Sequence, residues 1–158
     1  MLFRSPRFSS WNRETVLVAR EHCDVVCFNI YADLPTDGSR GEFLREQDMP
    51  VVSGEFHFGA LDRGMFHTGL RRAVDQNDRA AKFAAYMRTA VAEPWCVGAH
   101  WFQFRDQPIP GRFDGENYNI GFVTITDTPY AELVAAARTF NRELYARRTG
   151  AAAGAPGR

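Results

Sequence analysis

Glu55 closes an apolar run, Pro50-Val51-Val52-Ser53-Gly54-Glu55-Phe56-His57. Trp101 lies near the end of another, Trp95-Cys96-Val97-Gly98-Ala99-His100-Trp101-Phe102-Gln103. A carboxylate at the C-terminal tip of one buried strand and an indole at the tip of the next are parts suited to cleaving a glycosidic bond. The first sets a negative charge against an anomeric carbon, and the second lays an aromatic floor under the sugar ring. Glu55 then reads as the nucleophile of a retaining mechanism, forming a glycosyl-enzyme intermediate. A third run, Asp24-Val25-Val26-Cys27-Phe28-Asn29-Ile30-Tyr31, ends in a phenol that can donate to Glu55 and keep it ionised and aimed. Trp101 is the stacking platform in this reading. His57, Asn29 and Gln103 are placed to read hydroxyls. The late loop adds Asp106, Gln107, Asp114, Glu116, Asn117 and Asn119 as polar contacts. Taken singly, each has a plainer reading as a solvated cap, a rim residue or a surface loop. Their joint placement favours a site.

Alternation carries that convergence. On an ideal strand Val51, Ser53, Glu55 and His57 point one way, as do Cys27, Asn29 and Tyr31, and Val97, Ala99, Trp101 and Gln103. In each set the polar or large member is at the tip with small or apolar members behind it, the pattern of a barrel interior beneath a catalytic mouth. A retaining site also needs a second carboxyl group about 5–5.5 Å from the first. No strand end offers one: Glu116 falls in a loop and Glu42 in a helix. His57, His67 and His100 lack metal-ligand spacing, and no dinucleotide, phosphate-loop or nucleophile-elbow motif occurs, so neither metal nor cofactor is expected.

The elements that must position these residues follow from periodicity. Leu2 to Phe8 is a weak strand broken by Pro6. Asn12 caps a helix from Arg13 to about Glu21. Asp24–Tyr31 is apolar on both faces, as a parallel strand covered on two sides would be. A short helix over Glu42–Gln47 precedes a strand from Met49 to Glu55. After a glycine-rich loop, Asn77 or Asp78 opens a helix that Pro94 ends. Trp95–Phe102 is the last strand, and Thr128 caps a final helix with Pro129 in its first turn. Strand and helix alternate, with long loops after strands, which predicts a parallel α/β fold with its site at the strand C-termini. Residues 1–149 form the folded unit in this reading, and 150–158 a disordered tail.

Composition narrows the class. The chain has 158 residues, with 19 basic and 19 acidic side chains, so nucleic acid and anionic membranes find no electrostatic footprint. That length supports one cored domain but not a whole (β/α)8 barrel, which takes about 250 residues. Three cysteines make no disulfide framework; Cys23 and Cys27 on one strand sit roughly 13 Å apart. No apolar run reaches the roughly 20 residues of a membrane span. The first residues lack a signal-peptide core, so the sequence as written reads as cytoplasmic, although a longer enzyme containing it could be secreted.

Five segments together resemble the C-terminal half of a clan-A retaining glycosidase, closest to the family 50 β-agarases. They are Cys23 to Tyr31, Pro50 to Gly59, Gly98 to Gln103 with Asp106-Gln107-Pro108, Gly115 to Gly121, and Asp127 to Tyr130. The resemblance implies a partial barrel holding strands six to eight and a remnant of strand five, with Glu55 at the nucleophile position. It implies β-linked galactose-containing poly- or oligosaccharides as substrate. It also puts the family's acid/base glutamate on a fourth strand that this chain lacks. The isolated chain is therefore expected to be inactive until an N-terminal half completes it; a non-catalytic sugar-binding remnant is the alternative. A half barrel exposes two strand edges, which invite that missing half or self-association. A small doubly wound domain of unrelated function is the remaining reading.

Overall fold

The structure, a computed structural model, describes residues 4–150. The start of the first expected strand, residues 2–3, and the tail from 151 onward lie outside the described residues. The elements run β1 (Arg7–Phe8), α1 (Arg13–His22), β2 (Val26–Phe28), α2 (Arg40–Gln47), β3 (Val51–Phe56), α3 (Gln76–Ala92), β4 (Cys96–Trp101) and α4 (Ala131–Thr149). All four strands are parallel, in the order β1-β2-β3-β4. Each pair of neighbours is joined through a helix, as parallel strands require.

The caps explain most boundaries. The Asn12 side chain accepts from the Thr15 N–H at 2.7 Å and starts α1. Asp75, not Asn77 or Asp78, starts α3: it accepts from the Asp78 N–H at 2.8 Å, and Asp78 accepts from the Val74 N–H at 2.8 Å. This reciprocal pair moves the start upstream. α4 begins later than Thr128 because the preceding residues are drawn elsewhere. Thr128 O accepts from the Thr124 N–H, and the Tyr130 N–H donates to Phe122 O. α2 begins two residues before Glu42 because Arg40 is buried, its guanidinium donating to the carbonyls of Pro35 and Leu34. β2 is shorter than the expected Asp24–Tyr31, yet its flanks stay between their neighbours: the Asn29 N–H donates to Phe8 O and the Ile30 N–H to Glu55 O.

The core lies between the sheet and the helices. Phe56 stacks on Tyr86 of α3 at 4.0 Å between centroids. The Tyr86 hydroxyl donates to Ile30 O at 3.1 Å and meets the Ser53 hydroxyl at 2.8 Å. These contacts fix Ser53 and Phe56 on the helix-facing side. Strict alternation cannot place both there, and the β3–β4 register shows why. Ser53 pairs with Ala99 and Phe56 with Trp101, with an irregularity between them. The extra residue bulges β3 at Gly54-Glu55 and turns Glu55 away from the helices. The expectation that Ser53 and Glu55 share a face is corrected accordingly.

The sheet is open, with β1 and β4 at its edges. A cleft of about 530 Å³ runs beside β4, lined by Val97, Ala99, Phe140 and Leu144 among others. A smaller one of about 360 Å³ borders β1, against Phe8, Val18 and Ala19. Among the described residues no helix is long and apolar enough to cross a membrane. Cys27 and Cys96 are buried and Cys23 partly so, all as free thiols; burial raises the pKa of the first two and leaves them inert.

Candidate active site

Glu55 stands where three strands end. Its Oε2 accepts from Asn29 Nδ2 at 2.7 Å and from the Tyr31 hydroxyl at 2.7 Å. Its Oε1 is paired with the guanidinium of Arg7, which also reaches Gly54 O. The side chain keeps 21% exposure, enough for a ligand to approach. Gly54 makes the close packing possible: a Cβ there would lie 2.7 Å from Cys27 Sγ and 3.1 Å from Asn29 Oδ1. Burial first, and then the hydrogen bond to Glu55, push the Tyr31 phenol above its usual pKa. Tyr31 therefore stays a proton donor toward the carboxylate at any ordinary pH.

Asn29 and Tyr31 join Glu55, but several other expected residues do not. His57 is 1% exposed. Its Nε2 accepts from the Leu70 N–H at 2.9 Å, which leaves Nδ1 protonated to donate to Phe102 O at 3.1 Å. Both ring nitrogens are spent on backbone, so His57 is a strut between the ends of β3 and β4 and not a reader of hydroxyls. Asp106 is buried as well, accepting from Asn119 Nδ2, the Tyr130 hydroxyl and the Gly121 N–H. It knits loops together and offers nothing to a ligand. Gln103 donates to Arg105 O, and Asn117 to Ile109 O at the limit of hydrogen bonding.

Trp101 takes the face opposite Glu55. Its indole packs edge-on against Phe56 (5.2 Å), Phe83 of α3 (5.6 Å) and Phe122 (5.6 Å), and its Nε1 donates to Ile120 O at 2.7 Å. It packs, partly buried, against the core on the helix side and does not form a floor beside Glu55. The aromatic residue beside the site is Phe102, 6.2 Å from the His57 ring, which in turn lies 4.7 Å from Tyr31. The Arg112 guanidinium sits 5.5 Å from the Phe102 ring and is paired with Glu116 at 3.1 Å. Gln107 Nε2 holds the same carboxylate at 2.7 Å. Arg112, Glu116, Gln107 and Phe102 thus form one cluster on the loop after β4. Arg7, Phe102 and Arg112 were not among the expected residues. Arg7 lies on a two-residue strand with no periodicity to reveal it, and the β3 bulge hid the choice of Phe102 over Trp101. Among the described residues no cluster of His, Cys, Asp and Glu is placed to hold a metal ion.

The His57 strut carries a pH signature. Burial lowers its pKa to about 4 from an ordinary 6.5. The unfolded chain then binds the extra proton first as pH falls. Stability is complete above pH 6.5, is lost on the way down to about pH 4, and falls by about 3 kcal/mol over that window. Urea denaturation at several pH values is expected to show this slope in the wild type. His57→Gln, which keeps an acceptor but no titrating group, should lack it.

No protein-family profile matches the chain. The chain is similar to β-agarase B of Vibrio sp. (strain JT0107), at 47% identity over 148 residues, 91% of this chain and 15% of that protein. β-Agarase A of the same strain is 44% identical over 151 residues, again 91% and 15%. The chain thus spans about 15% of the length of the curated relatives it matches. Among solved structures it superposes on an exo-β-agarase with a TM-score of 0.83 at 47% identity, covering 88% of this chain and 19% of that one. A further agarase gives 0.83 at 50% identity, covering 87% and 21%. A GH2 β-galacturonidase from Eisenbergiella tayi, 18% identical with a TM-score of 0.58, shares the fold alone. The four parallel strands are part of a (β/α) barrel that these elements do not close.

Proposed function

Because this chain is related to the family 50 β-agarases over 91% of its length, we propose that it carries the nucleophile side of a retaining hydrolase acting on β-linked galactose units of agar-type polysaccharide. One observation supports this above the others. Asn29, Tyr31 and Arg7, brought from two neighbouring strands, all converge on the Glu55 carboxylate while leaving it open to solvent. Such an environment fixes the direction of the group. In the reaction one carboxylate oxygen bonds to the anomeric carbon as the bond to the leaving oxygen breaks, and water later cleaves the ester. The leaving oxygen of a natural glycoside also needs a proton. Glu116 is already engaged by Arg112 and Gln107. An acid/base carboxyl from a strand outside these four fits the need.

The test follows from that division of labour. A 2,4-dinitrophenyl β-galactoside leaves without protonation, so the nucleophile alone suffices to form the glycosyl-enzyme. Mass spectrometry of the intact chain after incubation with its 2-fluoro analogue should show one adduct on Glu55. An adduct elsewhere, or none, removes Glu55 from the role. The second reading is sugar binding without hydrolysis, and the pairing of Glu116 favours it. It predicts galactoside binding with no adduct.

The open edges of β1 and β4 fit completion by another barrel segment or, without it, self-association. Val97, on β4 and 54% exposed, is the place to test this. Val97→Lys is expected to lower the mass-average size in light scattering at equal concentration, with circular dichroism unchanged.

A further inference from the structure

The two oxygens of the Glu55 carboxylate are held differently. A carboxylate oxygen offers two lone pairs to donors. Oε2 has a donor for each, Asn29 Nδ2 and the Tyr31 hydroxyl, both at 2.7 Å. The partner of Oε1 is the Arg7 guanidinium, among the described residues the one cation paired with Glu55. Arg112 is bound instead by Asp114 and Glu116. The Arg7 side chain is 54% exposed, and Gly54 O at 3.4 Å is its second acceptor. It can therefore release Oε1 into water without stranding its charge.

That asymmetry selects the attacking atom. Attack through Oε2 would break two hydrogen bonds, whereas attack through Oε1 gives up one exposed ion pair. With Oε1 as the nucleophile, Oε2 becomes the carbonyl oxygen of the glycosyl ester and goes on accepting from Asn29 and Tyr31. Oε1 becomes the bridging oxygen, uncharged and a weak acceptor, so Arg7 alone loses its partner. An interaction made before the reaction and lost during it stabilises the ground state and raises the barrier. When the ester breaks, the electron pair of the C1–Oε1 bond returns to Oε1, and charge reappears beside the guanidinium. The same cation then lowers the barrier.

We propose that Arg7 serves the second half of the reaction: by pairing with Oε1 only while that oxygen is charged, it holds back formation of the glycosyl-enzyme at Glu55 and speeds its breakdown. This rests on reading Glu55 as the nucleophile. The 2-fluoro analogue of 2,4-dinitrophenyl β-galactoside, with mass spectrometry of the intact chain, resolves the two steps. In labelling, the Oε1–C1 bond forms as dinitrophenolate departs with the electrons of its bond to C1. After excess reagent is removed, water attacks C1, its proton passes to solvent and Glu55 leaves as the carboxylate. Arg7→Gln, which keeps a polar side chain without the charge, is expected to label roughly three- to fivefold faster and to lose the label more slowly by a similar factor. Arg7→Lys, which keeps the cation, should stay near the wild type in both steps. Added salt screens an exposed pair, so it should speed wild-type labelling and leave Arg7→Gln unmoved. Arg7→Gln labelling no faster than the wild type, or losing its label no more slowly, overturns the Arg7 role and leaves Glu55 as the nucleophile. A wild-type rate that ignores salt does the same without any substitution. A wild-type chain that takes no label on Glu55 overturns both.

Discussion

Glu55→Ala is expected to abolish labelling of the chain by activated β-galactosides, with the rate falling at least about a thousandfold. The carboxylate has two 2.7 Å donors on Oε2 and a guanidinium on Oε1, so its attacking direction is set before a substrate arrives. Alanine removes the atom that forms the bond and leaves a hole lined by those donors. Azide can enter such a hole, attack the anomeric carbon from the same side and expel dinitrophenolate. The product is then the β-galactoside converted to an α-galactosyl azide. Recovery of that product by NMR separates a lost nucleophile from a misfolded chain, which azide would not rescue. Tyr31→Phe is the graded companion. It deletes one charged hydrogen bond worth about 1.5–3 kcal/mol and should slow labelling roughly ten- to hundredfold while leaving Glu55 in place. Equal labelling of wild type and Glu55→Ala would end the assignment.

The two kinds of information in the sequence differ in range. Each helix and strand expected from periodicity is present among the described residues, because apolar spacing and caps such as Asn12 and Pro94 act over a few residues. The same holds for Glu55 and its partners Asn29 and Tyr31, which need only that neighbouring strands end side by side. The faces of the strands were harder to read. One extra residue at Gly54-Glu55 inverts the assignment for everything beyond it, so Phe102 and not Trp101 borders the site. Polar residues on the late loop were harder still. Asp106 and Glu116 look alike in the sequence. One is buried under Tyr130 and Asn119, whereas the other is paired with Arg112, and only the path of the loop distinguishes them. The partial barrel expected from the family resemblance agrees with relatives of which this chain spans about 15%.

Arg79 shows how that loop path is enforced, and its loss should be the largest stability effect in the chain. The residue is fully buried on α3. Its guanidinium donates to Phe58 O at 2.7 Å, to Gly121 O at 2.7 Å and to Gln76 Oε1 at 3.0 Å. Phe58 follows β3 and Gly121 ends the late loop, so one planar fork fastens both connections to the same helix. Burial lowers its pKa to about 10, with the nearby Asp106 charge acting the other way, and it remains a cation at neutral pH. Arg79→Met keeps the apolar length but strands two carbonyls and leaves the Asp106 carboxylate without its countercharge. Breaking a buried charge network from one side costs about 3–5 kcal/mol, a large share of the roughly 5–15 kcal/mol that holds a domain together. Urea denaturation should show that loss. Arg79→Lys should not recover it, since an ammonium is a point donor without the fork. Combining Arg79→Met with Asp106→Asn should cost less than the two single losses added, because the second change removes the charge the first left stranded. Additive losses would mean that Asp106 and Arg79 stabilise the loops independently.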